Sequence, residues 1–158
     1  MKTVLITGAT SGYGLETAKV FKRNGYVTLI ASRNPEKVEK CVKEFGFDKG
    51  YTLDVTDFDG WVRLKDEIMK DYGRLDVLVN NAGAGISIVD TVDQTKENID
   101  AIIALNLTSS IYGSKVMAPI MIGQKDGVIV NISLNTVTTS HGYIMSVLDK
   151  TTVFASFT

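Results

Sequence analysis

Short apolar runs alternate with longer amphipathic stretches from the first residues to about residue 133. The runs predict strands at residues 4–6, 27–31, 50–54, 75–79 and 128–132, the third being the weakest. Because most of these runs are apolar at successive positions, both faces of the strands are expected to be buried. Strands of this kind, joined by helices in right-handed crossovers, form a parallel sheet with helices on both faces. The sequence therefore predicts one α/β domain, with a doubly wound sheet, over residues 1–158.

The amphipathic stretches predict four helices between the strands. Asn34 and Pro35 are typical of an N-cap and a first helical position, and they place the start of the second helix. In the last helix we expect Ile99, Ile102 and Ile103 to face the core. The predicted helical ranges are 12–24, 35–45, 57–72 and 95–117. After residue 133 the pattern weakens: residues 135–141 predict a loop, and residues 150–158 are compatible with a helix.

Composition and charge exclude several classes of function. The chain is 44% hydrophobic and 22% charged, and its net charge of −1 gives no electrostatic basis for binding nucleic acid or an anionic membrane. No apolar stretch is long enough to span a bilayer, and the first residues predict a strand rather than a signal peptide. The one cysteine excludes an internal disulfide and predicts a reducing, cytoplasmic setting. Cys41 shares a predicted helix face with Val38, Val42 and Phe45, which favours a packed thiol over a reactive one.

A glycine-rich segment joins the first strand to the first helix. It reads Thr-Gly-Ala-Thr-Ser-Gly-Tyr-Gly over residues 7–14. Gly8 permits a tight turn, and Gly12 lets backbone N–H groups approach a diphosphate at the positive end of the helix. Gly14 is expected to let the helix pack close to the sheet. The alternative is an ordinary glycine-rich turn, but the strand–turn–helix context favours a phosphate site.

The glycine spacing resembles that of the short-chain dehydrogenase/reductase family, which has the Rossmann-type NAD(P)-binding fold. Further motifs of that family follow in order: Leu-Asp-Val at 53–55, Asn-Asn-Ala-Gly at 80–83, Leu-Asn-Leu at 105–107, Ala-Pro at 118–119 and Gly-Val-Ile-Val-Asn-Ile-Ser at 127–133. The resemblance covers about residues 1–133. It implies that Asp54 contacts the adenine ring and that the Asn-Asn-Ala-Gly segment supports the sheet beside the cofactor. The expected cofactor-binding residues are Gly8, Thr10, Ser11, Gly12, Tyr13, Gly14, Ser32, Arg33, Asp54, Val55, Asn81, Ala82 and Gly83.

The end of the second strand bears on which nicotinamide cofactor is used. An acidic residue there would bind both ribose hydroxyls of NAD and repel a 2′-phosphate. The sequence has Ser32 and Arg33 instead, and arginine can bind a phosphate through a charge-assisted fork. The alternative is that Arg33 is a solvated surface arginine. We therefore predict NADP(H) in preference to NAD(H), and no metal.

The resemblance also implies a catalytic group, and one position departs from it. Asn106 matches the family's catalytic asparagine, which holds a water molecule. Ser133 matches the serine that polarises the substrate oxygen, and Lys150 matches the catalytic lysine. Ser146 stands four residues before Lys150, where the family has its tyrosine. A serine hydroxyl is a much weaker acid than the phenol that general acid–base catalysis needs near neutral pH. Tyr143, seven residues before Lys150, is the alternative proton donor, since one helix could place both on one face.

Two functions remain open from the sequence. One is an NADP(H)-dependent oxidoreductase, impaired at position 146, that transfers hydride between nicotinamide and a small carbonyl or alcohol substrate. The other is a dinucleotide-binding module, or pseudoenzyme fragment, without turnover. Family members continue beyond the equivalent of Thr158, so we expect a sheet without its last strands, an exposed edge at the fifth strand, and weak self-association in place of a defined tetramer.

Overall fold

Six strands form one sheet within the part of the chain that this computed structural model describes, residues 1–85, 91–132 and 155–156. The first five run parallel, and the sixth is antiparallel to the fifth. They are β1 (Thr3–Thr7), β2 (Val27–Ser32), β3 (Lys49–Thr52), β4 (Val77–Asn80), β5 (Val128–Asn131) and β6 (Ala155–Ser156). Their spatial order is β3-β2-β1-β4-β5-β6. The chain therefore moves outward from β1 to β3 and returns to β4 beside β1, which confirms the predicted doubly wound, Rossmann-like sheet and opens a crevice between the carboxyl ends of β1 and β4.

Helices connect the parallel strands. They are α1 (Gly12–Arg23), α2 (Pro35–Phe45), α3 (Phe58–Tyr72), α4 (Lys96–Ile103) and α5 (Ser109–Gln124). A short 3₁₀ turn precedes α4, and a π-helical turn at Ala104–Thr108, the π-turn, joins α4 to α5. The predicted N-cap of α2 is confirmed, because Asn34 Oδ1 accepts a hydrogen bond of 2.9 Å from the Lys37 N–H.

Alternate residues of each central strand enter one of two cores. On one face, strand residues such as Leu5 and Leu78 pack with α3 and α5, where Trp61, Met117 and Met121 are fully buried. On the other face, α1 and α2 supply the packing, with these residues in the core: Ala18, Val38, Cys41, Ile6, Ile30 and Val79. Cys41 is 7% exposed, which confirms the packed thiol, and burial raises the pKa of that thiol.

The long helix predicted over residues 95–117 differs most from the structure. It is interrupted by the π-turn and continues to Gln124, past Pro119. Pro119 leaves the Lys115 carbonyl without its helical donor, and both residues are exposed, where such a loss is best tolerated. Ile102 faces the core as predicted, but Ile99 and Ile103 are 41% and 38% exposed, so their predicted burial is wrong.

Strand limits also differ from the predictions. β3 begins one residue early and ends at Thr52, and β4 begins at Val77 rather than at Leu75. The Leu75 main chain pairs instead with the side chain of Gln124, whose Oε1 accepts from Leu75 N–H at 3.0 Å and whose Nε2 donates to Leu75 O at 2.9 Å. Residues 155–156 form β6, so the helix expected there is not formed, and β6 covers the expected edge of β5 only at Val128 and Ile129.

Two carboxylates lie at the amino end of the sheet. Asp76 Oδ2 accepts from the Thr3 N–H at 2.7 Å, and its two oxygens bind Arg74 at 2.5 and 2.9 Å. Asp48 Oδ2 accepts from Thr28 N–H at 2.7 Å, with Lys22 Nζ at 2.9 Å. Burial opposes ionisation of Asp76, but the Arg74 guanidinium and the Thr3 N–H outweigh it, so the pKa of Asp76 lies below its ordinary value.

Candidate functional site

The glycine loop between β1 and α1 needs glycine at two positions for its backbone shape. Gly8 and Gly12 have φ angles of 67° and 53°, which side chains rarely adopt. A Cβ at Gly8 would lie 2.9 Å from the Ala82 Cα, whereas a Cβ at Gly12 would meet nothing within 4 Å. The space beside Gly12 is therefore open for a ligand to approach the backbone.

Gly14 lies where α1 packs closely against its neighbours. A Cβ there would collide with the Asn81 amide and would lie 2.5 Å from the Gly8 carbonyl oxygen. Its missing side chain thus brings α1 against the loops that follow β1 and β4. Tyr13, the residue before Gly14, is exposed in the first turn of α1.

The amino end of α1 lacks the side-chain cap that α2 and α4 have. Ser11, its N-cap residue, makes no side-chain capping bond, and the first turn carries no acidic residue. By contrast, α2 is capped by Asn34 and has Glu36 in its first turn. Because the first N–H groups of a helix need acceptors and its dipole favours an anion, α1 presents a place for a phosphate beside the glycine loop.

The loop after β4 is tied to the glycine loop by Thr7 and Asn81. Thr7 Oγ1 accepts from the N–H groups of Asn81 and Ala82, at 3.0 Å each, and donates to the Val79 carbonyl at 3.3 Å. Asn81 Nδ2 donates to the carbonyls of Thr7 at 3.0 Å and Gly8 at 3.3 Å. The two walls of the crevice are thereby held at a fixed separation.

Asn106 secures the far side of the same wall. Its Nδ2 donates to the carbonyls of Ala84 and Ile102 at 3.0 Å each, and its Oδ1 accepts from the Ala84 N–H at 3.1 Å. Both amide hydrogens are therefore used on the main chain. The side chain braces the residues after β4 and has no amide hydrogen left for a water.

Residues from four strand ends line the crevice between these walls, which has a volume of about 210 Å³. Its lining is Gly8, Thr10, Ser11, Ser32, Arg33, Leu53, Val55, Ala82, Gly83, Ala84 and Leu105. Arg33 is exposed, and it forms no ion pair with any of the described residues. The crevice thus joins an uncapped helix end to a free guanidinium, with apolar walls between them.

Asp54 lies in an adjoining groove with Arg33, Ala101 and Ala104. Its Oδ1 accepts from the Thr56 N–H at 2.9 Å and from Thr56 Oγ1 at 2.7 Å, which fixes the turn after β3. The carboxylate is thereby placed at the rim, beside the apolar Leu53 and Val55 positions of the crevice.

The structure brings together most of the cofactor-binding residues expected from the sequence. Gly8, Thr10, Ser11, Ser32 and Arg33 line the crevice itself. The loop also contains Gly12, Tyr13 and Gly14, and the opposite wall contains Val55, Ala82 and Gly83, with Asn81 behind it. The predicted Ser133, Tyr143 and Lys150, with Ser146, lie outside the described residues.

Two residues of the site were missed in the sequence. Thr7 joins the two walls of the crevice through its hydrogen bonds to Asn81 and Ala82. In the sequence it could have been recognised as the polar residue between an apolar strand and the first glycine. Asn131 ends β5, and its Oδ1 accepts from Asn80 Nδ2 at 2.9 Å across the strand ends. The sequence shows Asn131 only as a polar residue that ends an apolar run.

Neither a metal cluster nor a spanning helix is found in the ranges that the structure covers. Across residues 1–85, 91–132 and 155–156 no group of three or more His, Cys, Asp or Glu side chains could hold a metal ion. Over the same residues no helix has the length and apolar character needed to cross a bilayer.

The geometry agrees with what comparison with known proteins finds. The family described as short chain dehydrogenase matches residues 2–145. A 3-oxoacyl-[acyl-carrier-protein] reductase of Thermotoga maritima is 37% identical over 136 residues, covering 84% of this chain and 55% of that protein. A serine 3-dehydrogenase of Agrobacterium fabrum is 31% identical over 132 residues, covering 83% of this chain and 53% of that protein.

A solved structure is similar to this chain in fold and in sequence. A metagenomic short-chain oxidoreductase in complex with NADP superimposes with a TM-score of 0.78 at 30% identity, covering 84% of this chain and 62% of that one. The chain spans about half the length of the curated relatives it matches.

Proposed function

The chain belongs to the short-chain dehydrogenase family, and we propose that it binds NADP(H) and acts as an oxidoreductase on a small carbonyl or alcohol substrate. The observation that carries the proposal is the crevice at the carboxyl ends of β1 and β4. It joins the glycine loop, the uncapped start of α1 and the Ser32–Arg33 end of β2. When bound, the nicotinamide group supplies or accepts the hydride of the reaction.

The residues present fit a dinucleotide. Gly12 leaves open space over the backbone, where a diphosphate can accept N–H groups at the start of α1. Leu53 and Val55 supply apolar walls beside Asp54, where an adenine ring would be held. The residues after β4 close the other side because Thr7, Asn81 and Asn106 hold them.

NADP(H) is preferred to NAD(H) in this proposal because of the end of β2. Arg33 is exposed beside the crevice and can pair with a 2′-phosphate, and Ser32 can add a hydroxyl. No acidic residue ends the strand to bind the ribose diol of NAD. The NADP complex of the metagenomic relative supports the same preference.

The experiment is a titration of the full chain with NADPH and NADH, followed by fluorescence or calorimetry. We expect NADPH to bind more tightly, and Arg33→Ala to weaken NADPH binding about ten- to a hundredfold with little effect on NADH. Arg23→Ala, an exposed arginine in the last turn of α1, is the matched control. Equal affinities, or tighter binding of NADH, contradict the preference.

Catalysis is assigned to Lys150, Ser133 and a tyrosine hydroxyl, with Asn106 bracing the wall. In this assignment Ser133 polarises the substrate oxygen, and Lys150 lowers the pKa of the proton donor. Tyr143 is the candidate donor because position 146 is serine. Tyr143→Phe should then abolish turnover and leave cofactor affinity unchanged.

A second function, a dinucleotide-binding module without turnover, is favoured by that same serine. General acid–base catalysis contributes about a hundred- to ten-thousand-fold, which Ser146 does not supply at neutral pH. This alternative predicts tight NADPH binding with no carbonyl reduction, and a gain of activity in Ser146→Tyr. Ordinary turnover that Tyr143→Phe removes would exclude it.

The proposed setting is one domain over residues 1–158 in the cytoplasm, which the single cysteine supports. Weak self-association is proposed for the surface around α4 and α5, where Ile103, Ile111 and Ile122 are exposed. Light scattering at micromolar concentration tests it. A defined tetramer would contradict the expectation of weak association.

A further inference from the structure

The hydroxyl groups of Thr10 and Ser32 meet on the wall of the crevice. Thr10 Oγ1 donates to Ser32 Oγ at 3.3 Å, and the bond joins the glycine loop to the end of β2. Both residues are half-buried and line the crevice together with Arg33. The bond therefore lies between the loop suited to a diphosphate and the strand end suited to a 2′-phosphate.

The main chain of both residues is fixed by other contacts. Cys41 Sγ, which is buried in α2, donates to the Thr10 carbonyl at 3.8 Å. On the other side, the Ser32 carbonyl accepts from the Leu53 N–H at 3.0 Å, and the Gly8 N–H donates to Ala31 O at 2.8 Å. With both backbones held, the Thr10 and Ser32 hydroxyls stay within hydrogen-bond distance of each other.

A bound phosphate decides which of the two hydroxyls donates to the other. A serine hydroxyl has one hydrogen and two acceptor lone pairs, and an ionised phosphate oxygen can only accept. When Ser32 gives its hydrogen to a phosphate, Thr10 supplies the hydrogen between the two hydroxyls and Ser32 accepts it with a lone pair. A hydrogen bond to a charged phosphate is roughly twice as strong as one to a neutral hydroxyl, so an oriented donor favours the phosphate.

We propose that Thr10 is a positioning residue for cofactor selectivity, whose hydroxyl orients Ser32 as a donor to the 2′-phosphate of NADP(H) beside Arg33. The inference rests on the proposed cofactor site and adds a residue that acts on the choice between the two nicotinamide cofactors. Thr10 acts through Ser32, so its effect depends on the serine hydroxyl. The groups that the two cofactors share should be bound equally well without it.

Two small probes separate these effects on the full chain. Adenosine 2′,5′-bisphosphate and AMP differ only in the 2′-phosphate, and calorimetry gives the Kd of each. The variants are Thr10→Val, which keeps the shape and removes the hydroxyl, Thr10→Ser, which keeps the hydroxyl, Ser32→Ala, and the Thr10→Val/Ser32→Ala pair. Thermal unfolding of each variant checks that the fold is retained.

We expect Thr10→Val to weaken bisphosphate binding about three- to tenfold, while AMP binding stays within about twofold. Thr10→Ser should restore the selectivity. In the Ser32→Ala background, Thr10→Val should have no further effect, because the two residues act as one unit.

Several results overturn the inference. If Thr10→Val weakens the binding of both probes equally, Thr10 stabilises the glycine loop and does not act on the 2′-phosphate. If Thr10→Val leaves bisphosphate affinity unchanged, or weakens bisphosphate binding as much in the Ser32→Ala background as it does alone, Thr10 does not act through Ser32. In these cases the proposed function stands. If neither probe binds the unmodified chain, the proposed cofactor site itself is wrong, and the inference falls with it.

Discussion

The amino and carboxyl ends of the sheet differ in whether their polar groups have partners within the protein. At the amino end, the carboxylates of Asp48 and Asp76 accept the N–H groups of Thr28 in β2 and Thr3 in β1, and Lys22 and Arg74 balance their charge. At the carboxyl end, the first turn of α1 has neither a capping side chain nor an acidic residue. Arg33 lies there without an ion-pair partner in the described ranges.

The difference separates stability from binding. Groups that are satisfied within the protein lower its free energy, and they have little left to offer a ligand. Groups that lack an internal partner cost stability in the free protein and recover it when a ligand supplies one. Substitutions at the amino end should therefore change the free energy of unfolding, while those around the glycine loop should change affinity.

The largest effect is expected for Gly12→Val. Its side chain would fill the open space over the loop and strain a backbone with φ of 53°, so NADPH affinity should fall at least about a hundredfold, or about 3 kcal/mol. Calorimetry measures it. Gly25→Val is the matched control, since Gly25 has φ of 78° and nothing within 4 Å of its Cβ position but follows the far end of α1. Unchanged affinity in Gly12→Val, or an equal loss in Gly25→Val, would contradict the binding role of the loop.

Asn106→Ala should produce the next largest effect, and on stability. The substitution removes three hydrogen bonds, two of them to the main chain of Ala84, so we expect a loss of about 2–4 kcal/mol. Urea unfolding measures the free energy. Asn24→Ala is the control, because Asn24 is exposed and its side chain donates to a single carbonyl, that of Val20. Equal losses in the two variants would show that Asn106 is not a brace.

Asp76→Ala tests the amino end directly. It leaves the buried Thr3 N–H without its acceptor, so the free energy of unfolding should fall by about 1–3 kcal/mol while NADPH affinity is unchanged. Asp48→Ala should cost less, since the Asp48 side chain is 31% exposed and that of Asp76 only 1%. If Asp76→Ala lowers the free energy of NADPH binding by more than the free energy of unfolding, the amino end does not act on stability alone.

The smallest expected effect is a dependence of stability on pH. The pKa of Asp76 is lowered in the folded protein, so its contribution is fully present above the ordinary aspartate pKa of about 3.9 and is lost as the pH falls below it. Urea unfolding between neutral pH and about pH 3 should show a loss that is smaller in Asp76→Asn. The same loss in both proteins would mean that Asp76 does not contribute to it.

Local sequence signals predicted the half of the molecule around α1 and α2. The N-cap Asn34, the helix end at Gly46 and the turns at Gly8 and Gly12 each depend on the chemistry of neighbouring residues. These features needed no knowledge of distant contacts. The loop after β4, which forms one wall of the crevice, was predicted instead from its resemblance to the family's Asn-Asn-Ala-Gly motif.

The half around α4 and α5 could not be predicted so well, because distant contacts set its limits. Gln124 binds the main chain of Leu75 and thereby displaces the start of β4. The bonds from Asn106 to Ala84 lie at the π-turn, which no apolar periodicity indicates. α5 is apolar around most of its circumference, so its sequence does not tell which side faces the core.

The π-turn also makes the chain sensitive to length at one place. Its bonds run from residue i+5 to residue i, as from the Ser109 N–H to the Ala104 carbonyl, so the turn contains one residue more than an α-helix would. If all of these residues took α-helical spacing instead, α5 would be rotated by about 100°. Met117 and Met121 would then turn away from the sheet. Natural relatives in which this segment is a regular α-helix should accordingly have one residue fewer here.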